Sequence, residues 1–185
     1  MYNFCIVKRK IMNGITIINF EPRHQEFFEM VNRGWIEKYF EMEPLDEFVL
    51  TDPLNAIIYP GGAILLAAYE NVLAGAVALR KLDDKTFEFT KMGVDPNFRR
   101  RGIAEALCYS SFVKAKELGA TKVILYSNSV LEGALQLYEI VGFSHLPPDN
   151  NEYKRSDIKM EIDINKAIKN ANKFYSEIEK LEPWN

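Results

Sequence analysis

The sequence predicts a mixed α/β domain built around one central sheet. Two observations support this class. Short β-branched and apolar runs bounded by turn residues alternate with segments of helical periodicity, and these follow one another in a defined order. The order is a strand, two helices, three strands, a helix, a strand, a helix and two final strands. With 185 residues, of which 48% are hydrophobic, the chain can bury a substantial core in one domain.

The predicted domain begins with one strand followed by helical segments. Residues 14–20 (GITIINF) are rich in β-branched side chains, and Glu21-Pro22 closes this strand. Apolar residues then recur at roughly helical intervals over residues 23–50. Glu43-Pro44 predicts a break into two short helices, because a residue before proline avoids helical backbone angles.

Three strand-like runs come next, and short turns join them into antiparallel hairpins. Glu70-Asn71 is a tight-turn candidate between residues 60–70 and residues 72–82. A second turn, Asp83-Asp84-Lys85, leads into residues 86–94 (TFEFTKMGV). Consecutive antiparallel strands are therefore expected before the arginine run that begins at Arg99.

The hydrophobic pattern changes to a helical period after Gly102. One face of this helix, which Gly119 can end, is formed by Ala104, Leu107, Cys108, Ser111, Ala115 and Leu118. Residues 122–127 (KVILYS) then form a buried strand, because their apolar run is almost continuous.

The last third of the chain adds a second helix, two strands and a tail. Ser129 and Glu132 match a capping box for the helix, and Gly142 stops it. Residues 143–146 and 157–164 supply the final strands. We expect three parts: a loosely ordered N-terminal extension over residues 1–13, a domain over residues 14–164, and a helical C-terminal tail over residues 165–185.

Charge, apolar runs and cysteine usage exclude several classes of protein. The net charge of −3 argues against a surface built to hold nucleic acid. The longest apolar run, residues 61–69, is too short to cross a bilayer, and no apolar segment of signal-peptide length follows the basic N-terminus. Cys5 and Cys108 lack the spacing of a metal site or a disulfide framework. We therefore expect a cytoplasmic protein with free thiols and no metal, and neither nucleic acid nor a membrane as partner.

Residues 94–107 (VDPNFRRRGIAEAL) place three arginines and a glycine where a helix begins. Backbone N–H groups at a helix start have no intrahelical partner, and the helix dipole adds partial positive charge. Gly102 and the small Ala104 would let an anion approach these groups closely, and a diphosphate suits such a place. The residues alone leave two interpretations open, an anion site and a solvated basic turn that caps the helix.

The same stretch resembles the signature of the GNAT superfamily of N-acetyltransferases, which bind acetyl-CoA. That signature has Arg or Gln, two residues, Gly, one residue, then Gly or Ala, and residues 99–104 (RRRGIA) match it. Val94-Asp95-Pro96 matches the Val-x-Pro that usually precedes it, and residues 125–143 (LYSNSVLEGALQLYEIVGF) resemble the family's strand–Asn–helix–Tyr–Gly-Phe block. The resemblance covers residues 14–164. It implies a GNAT-like, mostly antiparallel central sheet of about six to seven strands, flanked by helices and splayed between the fourth and fifth strands.

The resemblance also implies which residues bind acetyl-CoA. Backbone N–H groups at the helix start would hold the diphosphate, and the end of the preceding strand would pair with the pantetheine arm. Gly93 suits the bulge that parts the two splayed strands. The implied cofactor-binding set is Met92, Gly93, Val94, Arg99, Arg100, Arg101, Gly102, Ile103, Ala104, Asn128, Ala134 and Tyr138.

Two side chains are implied as catalytic. The Tyr138 phenol occupies the family's general-acid position and would protonate the CoA sulfur, while the N–H of Val94 would polarise the thioester carbonyl. Core packing is the alternative role of Tyr138. Some members of the family place a glutamate on this strand to take the amine proton, often through water, and the resemblance gives Glu88 this role. Glu88 lies two alternations from Met92, and so on the same side of the sheet if the pairing is regular. A half-exposed surface carboxylate is the alternative for Glu88.

The acceptor amine is less well specified. An acidic segment interleaved with Trp35, Tyr39 and Phe40 suits a cationic amine, and a solvated helix face explains its charges as well. The acidic residues are Glu37, Glu41, Glu43, Asp46 and Glu47. Arg155 could bind an acceptor carboxylate or pair with neighbouring acids, and the sequence leaves this open.

The sequence therefore predicts an acetyl-CoA-dependent N-acetyltransferase acting on a small amine or a peptide amine. A non-catalytic acyl-CoA-binding regulator is the main alternative, and a nucleic-acid clamp formed by the arginines ranks last. The last strands and the tail are common pairing surfaces, so a homodimer is one further expectation.

Overall fold

The structure is a computed structural model that describes residues 9–12, 14–149 and 152–181, with side chains described over residues 14–149 and 152–178. The strands are β1 (Arg9–Met12), β2 (Ile15–Asn19), β3 (Ala63–Tyr69), β4 (Val72–Lys81), β5 (Thr86–Val94), β6 (Lys122–Ser127), β7 (Ser144–Leu146) and β8 (Ile158–Asp163). The helices are α1 (Gln25–Tyr39), α2 (Pro44–Thr51), α3 (Ile103–Glu117), α4 (Glu132–Val141) and α5 (Ile164–Leu181).

The strands form one sheet of eight, in the order β1-β2-β3-β4-β5-β6-β8-β7. Neighbouring strands are antiparallel except for β5 and β6, which run parallel. The predicted α/β class and mostly antiparallel sheet are confirmed. β1 is an addition to the predicted strands and lies in the segment predicted to be a loosely ordered extension. Residues 1–8 and 13 of that segment lie outside the described residues.

Helices cover both faces of the sheet. α1 and α2 pack on one face, around Phe28 and Leu50. α3, α4 and α5 pack on the other face, around Phe87 and Phe112. Strand residues alternate between these two clusters, as expected for strands buried on both faces. Among the described residues, none of the helices combines the length and the apolar character needed to span a membrane.

The two predicted hairpin turns are present. Glu70 and Asn71 have φ of 49° and 69°, which is the left-handed pair that a two-residue hairpin loop requires. In the second turn, the carboxylate of Asp83 accepts hydrogen bonds from the N–H groups of Lys85 and Thr86, both at 2.8 Å. These turns fix the register of β3, β4 and β5.

One local prediction is wrong. Ser129 does not cap α4, because its hydroxyl and its N–H both donate to Asp157, and Leu131 is the N-cap residue. α3 is also buried outside the predicted face, because α5 covers the side that faces away from the sheet. Tyr109 of α3 accordingly stacks on Phe174 of α5, with ring centroids 4.4 Å apart.

Candidate functional site

A cavity of about 820 Å³ lies where β5 and β6 separate. The parallel pairing of these strands involves only the first three residues of β5. Because β1 was not among the predicted strands, β5 and β6 are the fourth and fifth predicted strands, and the predicted splay between them is confirmed. Trp35 and Tyr39 of α1 and Ala134 and Tyr138 of α4 line the cavity. Because α1 and α4 cover opposite faces of the sheet, the cavity passes through the sheet at the gap.

A β-bulge turns β5 beside the cavity. β4 pairs with Thr90 and with Gly93, and β5 has one residue more than β4 between these two pairs. Lys91, in this bulge, has the left-handed φ of 50°. The sequence places the bulge at Gly93, and this prediction is wrong because Gly93 stays paired. A Cβ at Gly93 would lie 2.9 Å from the Val31 carbonyl oxygen, so the glycine instead allows α1 to approach the strand.

The backbone N–H of Val94 points into the gap between β5 and β6. Val94 lies opposite Gly75 of β4, and the next N–H, that of Asp95, donates to the carbonyl of Ala74 at 2.9 Å. In an antiparallel ladder this pattern makes Val94 and Gly75 a pair without hydrogen bonds, so the Val94 backbone groups face away from β4. β6 has already diverged here, which leaves this N–H accessible from the cavity.

The start of α3 adjoins the same cavity and presents unpaired N–H groups. The N–H groups of residues 101–104 donate to no backbone carbonyl in the described part of the chain, as expected for a first helical turn. Gly102 has φ of 78°, and a Cβ there would meet nothing within 4 Å. A depression of about 230 Å³ lies over this turn and shares Val94, Arg99 and Ala104 with the large cavity.

The three arginine side chains have different surroundings. Arg99 lines both the large cavity and the depression, whereas Arg100 lines only the depression. The Arg101 guanidinium lies over the Tyr69 ring, 4.8 Å from its centroid, so this side chain points away from both. Arg101 therefore contributes to the helix start through its backbone rather than its charge.

Tyr138 is buried and lines the cavity. Its ring packs edge-on against Phe89 and Phe143, with centroids 5.7 and 6.0 Å away. Burial, together with the Cys108 thiol, raises the pKa of Tyr138 above its ordinary value of 10.0, so the phenol is protonated at neutral pH. The position of Tyr138 therefore satisfies both alternatives, because the ring is part of the core and also faces the cavity.

The Gly-Phe pair after α4 fixes the turn of helix that bears Tyr138. The Tyr138 carbonyl accepts the N–H groups of Gly142 at 3.2 Å and Phe143 at 2.9 Å. Gly142 has φ of 112°, and a Cβ there would lie 2.4 Å from the side-chain nitrogen of Asn170. A larger residue is excluded on both grounds, so Gly142 ends α4 at a defined place below the phenol.

Asn128 lines the cavity, and its side chain is engaged by the backbone. Its amide nitrogen donates to the carbonyl of Arg155 at 2.6 Å, and its oxygen accepts the N–H of Val130 at 2.9 Å. Asn128 therefore joins the end of β6 to the loop before β8. One amide hydrogen remains for a ligand.

Glu88 does not line the cavity. Its carboxylate accepts a hydrogen bond from Arg80 at 2.7 Å and is 1% exposed. Counting alternations in the sequence places Glu88 on the same face as Met92, and the bulge at Lys91 explains why this placement is wrong. Met92 packs with the cluster under α3, whereas Thr90 and Lys91 contact Tyr153 on the opposite face. Glu88 lies on the Tyr153 side, so it does not share a face with Met92. Its role as base stays a prediction.

A buried charge cluster lies at the end of the cavity near α1 and α2. The Lys91 ammonium lies 3.0 Å from Asp46 Oδ1 and 3.1 Å from the Tyr153 hydroxyl. Arg155 donates to the same carboxylate, with Nη2 2.9 Å from Oδ1, and reaches Glu43 at 3.3 Å. Sequence reasoning missed Lys91 and Tyr153, and no local pattern marks either residue as part of this cluster.

The charges of this cluster stabilise one another. Burial alone would lower the pKa of Lys91, but Tyr153 and Asp46 outweigh it and the pKa is raised, so the side chain is an ammonium. Burial alone would raise the pKa of Asp46, but Arg155 and Lys91 outweigh it and the pKa is lowered. Both shifts indicate a fully charged ion pair at neutral pH.

The predicted acidic rim is not the lining of the cavity. The aromatic residues Trp35, Tyr39 and Phe40 do line it, as expected. None of the five predicted acidic residues is among the lining residues. Arg33 pairs with Glu37 and Glu47 on the outside of α1. Glu43 and Asp46 form ion pairs with Arg155.

The structure brings most of the predicted site together. The residues that line the large cavity are Met92, Gly93, Val94, Arg99, Ala104, Asn128, Ala134 and Tyr138. Arg100, Gly102 and Ile103 line the adjoining depression, whereas Arg101 and Glu88 line neither. Among the described residues, no group of three or more His, Cys, Asp and Glu side chains is arranged to hold a metal ion.

Known proteins share this architecture and sequence pattern. The sequence model of the Acetyltransferase (GNAT) family matches residues 24–143. The N-acetylaspartate synthetase of Xenopus tropicalis is 34% identical over 88 residues, which are 47% of this chain and 32% of that protein. The N-acetylaspartate synthetase of Danio rerio is 34% identical over 148 residues, 77% of this chain and 51% of that protein. The chain thus spans about a third to a half of these relatives' length.

Solved structures show the same fold at lower identity. A GNAT-family acetyltransferase from Staphylococcus aureus Mu50 superposes with a TM-score of 0.72 at 19% identity, covering 81% of this chain and 99% of that one. The spermidine N-acetyltransferase of Vibrio cholerae, in complex with CoA and spermine, gives a TM-score of 0.65 at 21% identity, covering 84% and 98%. At these identities the likeness concerns the fold.

Proposed function

The chain belongs to the acetyltransferase (GNAT) family, and on this premise we propose that it transfers the acetyl group of acetyl-CoA to a primary amine of a small molecule or peptide. One observation supports this most strongly. A single through-sheet cavity adjoins the unpaired N–H groups of α3, the N–H of Val94 and the phenol of Tyr138. Both substrates would bind together, so that the amine attacks the thioester directly.

The residues present fit acetyl-CoA. The N–H groups of residues 101–104 and the open space over Gly102 suit the diphosphate, and Arg99 and Arg100 flank them. The unpaired edge of β5 at Met92 and Val94 suits a strand-like arm of amides. CoA would therefore enter from the α3 side and present its thioester where β5 and β6 part. The Asn128 amide is positioned beside that arm.

Acetyl-CoA supplies an activated acyl group, and this chain's residues supply polarisation and protons. The N–H of Val94 would donate to the carbonyl oxygen as its negative charge increases. The amine forms the new C–N bond as the C–S bond breaks. The Tyr138 phenol, which is protonated at neutral pH and lines the cavity, would give its proton to the departing sulfur.

The proton lost by the amine needs an acceptor. Lys91 does not suit this role because its pKa is raised and it is already an ammonium. Glu88 stays our proposed base. Because its carboxylate is buried, held by Arg80 and outside the cavity lining, the proton would reach it through a relay rather than by direct contact with the amine.

A second candidate is a non-catalytic acyl-CoA-binding regulator. The engagement of Glu88 by Arg80 favours it, because the paired carboxylate is buried and does not line the cavity where the amine would bind. The two candidates share the cofactor site and differ only in turnover.

Location and assembly are also proposals. A cytoplasmic protein with no nucleic-acid or membrane partner fits the net charge of −3 and the buried thiol of Cys108. A homodimer formed through the last strands or the tail stays a prediction that analytical ultracentrifugation can check.

A CoA-release assay tests the proposed function. Purified protein is incubated with acetyl-CoA and a panel of amino acids, polyamines, aminoglycosides and peptides. We expect at least one class to release CoA in step with N-acetylated product. Binding of acetyl-CoA without any acetylated product would favour the regulator, and absence of binding would contradict both candidates.

A further inference from the structure

We propose that the end of the cavity at Arg155 is a subsite for a carboxylate, so that the acceptor amine is an amino acid. This inference rests on the proposed acetyl transfer and specifies its acceptor. The subsite lies on the α1 side of the sheet, opposite the start of α3 where CoA would enter. An acceptor reaching the gap between β5 and β6 from that side passes Arg155.

The charged side chains that are open to this end of the cavity are positive. Lys38 and Arg155 line it, and the carboxylates of Glu43 and Asp46 that pair with Arg155 do not. The other acidic lining residues lie elsewhere: Asp95 bonds the N–H of Asn97 in its own turn, and Glu132 is exposed at the start of α4. A cationic acceptor such as a polyamine would therefore meet like charge, whereas a carboxylate would meet opposite charge.

Arg155 keeps a hydrogen-bond donor that the described part of the chain does not use. The Arg155 guanidinium donates to Glu43 and Asp46 through its two Nη atoms, and no acceptor for its Nε–H is found among the described residues. The Lys91 ammonium is 2% exposed and contacts Asp46 and Tyr153, so it supports Arg155 through Asp46 and does not itself reach a ligand. A ligand carboxylate can accept a hydrogen bond from the Nε–H of Arg155.

Asp46 and aromatic rings hold the two cations in place. Asp46 is fully buried and bridges them. The guanidinium of Arg155 lies 5.3 Å from the Phe40 ring centroid and 5.2 Å from that of Tyr153. Because these contacts already fix Arg155, a ligand carboxylate would bind without the entropy cost of ordering this side chain.

The wild-type enzyme gives the first test. Common amino acids are assayed with acetyl-CoA, and each substrate is compared with its α-carboxamide and its decarboxylated amine. We expect kcat/KM to be higher for the carboxylate by about tenfold or more. The amine of the carboxamide loses its proton more easily than the amine of the amino acid, so more of it is the neutral nucleophile. This difference favours the carboxamide, so a preference for the carboxylate would have to overcome it. Equal or better use of the carboxamide and the decarboxylated amine would overturn the carboxylate subsite while leaving acetyl transfer intact.

Variants give the second test. Arg155→Gln should raise KM for the amino acid about tenfold and leave KM for its carboxamide nearly unchanged. Arg33→Gln is the matched control, because Arg33 also bridges carboxylates but does not line the cavity. An equal rise of KM for both acceptors in Arg155→Gln would assign Arg155 a structural role only and contradict the proposal.

A binding measurement does not depend on turnover or on the variant. N-acetylated amino acids and their carboxamides are added to the wild-type protein with CoA, and thermal unfolding is followed. We expect the carboxylate form to raise Tm and the carboxamide to have little effect. If CoA raises Tm but no carboxylate product adds to it, the subsite is wrong. If CoA itself has no effect, the proposed function fails instead.

Discussion

The ammonium nitrogen of Lys91 lies 3.0 Å from Oδ1 of Asp46, and the two side chains are 2% and 0% exposed. This buried ion pair joins the bulge of β5 to α2. Burying a charge is costly unless it is paired and hydrogen-bonded, and here Arg155 and Tyr153 complete the bonding of both partners. The pair therefore fixes the bulge that separates β5 from β6.

Removing the Asp46 charge should destabilise the protein strongly. Asp46→Asn leaves Lys91 and Arg155 with a buried, incompletely compensated positive charge, at a cost of about 3–5 kcal/mol in the free energy of unfolding. Urea unfolding measures this change. Glu47→Gln is the control, because Glu47 is 51% exposed in its pair with Arg33 and should change stability by less than about 0.5 kcal/mol. Similar losses in both variants would contradict the assignment.

Acid should release this stabilisation. The folded-state pKa of Asp46 is lowered from 3.8, since Arg155 and Lys91 outweigh the opposing effect of burial. A carboxyl whose pKa is depressed by folding contributes stability above its unfolded pKa, and that contribution is lost as pH falls through the folded value. Unfolding measured below about pH 4 should therefore show stability falling more steeply in the wild type than in Asp46→Asn. Parallel pH profiles would refute this.

Tyr138→Phe separates chemistry from packing. The hydroxyl makes no hydrogen bond to the described chain, and the ring packs against Phe89 and Phe143, so stability and CoA affinity should be nearly unchanged. Loss of the proton donor should lower kcat by about 10²- to 10⁴-fold. Tyr109→Phe is the control, since Tyr109 lies on α3 against Phe174 and outside the cavity. Full activity of Tyr138→Phe across pH would eliminate the acid role.

Gly102→Ala tests the helix start as the diphosphate site. Gly102 and Gly119 have positive φ, 78° and 91°, and in neither case would a Cβ meet an atom within 4 Å. Alanine at either position should therefore cost about 1–2 kcal/mol of stability. Only Gly102→Ala places a methyl group where the anion would lie, and it should weaken CoA binding about tenfold by calorimetry. Equal CoA affinity in the two variants would rule out this placement.

The sequence predicts the features of the site that depend on local backbone geometry. The helix start at residues 99–104 and the Tyr138–Gly142–Phe143 turn both have short-range sequence signals, namely a glycine at the end of a helix and helical spacing of apolar residues. Both glycines, Gly102 and Gly142, have positive φ in the structure. Their positions in the structure match the prediction. The splay between β5 and β6 followed from the family resemblance rather than from any one residue.

The acceptor side depends on contacts that no local pattern encodes. A left-handed lysine at position 91 has no sequence signature, and the bulge there reverses the side-chain alternation on which the placement of Glu88 relied. Arg155 and Asp46 are separated by 109 residues in sequence. The sequence shows that Glu43, Asp46 and Arg155 are present. Only the fold shows that the two carboxylates pair with Arg155 and that Arg155, not the carboxylates, lines the cavity.

A crystal structure of the protein with bound CoA tests the central claim most directly. We predict that the diphosphate lies on the N–H groups of residues 101–104, that the pantetheine arm runs along β5, and that the sulfur lies near the Tyr138 hydroxyl and the Val94 N–H. A diphosphate bound anywhere else, or an arm that does not enter the gap between β5 and β6, would contradict the account.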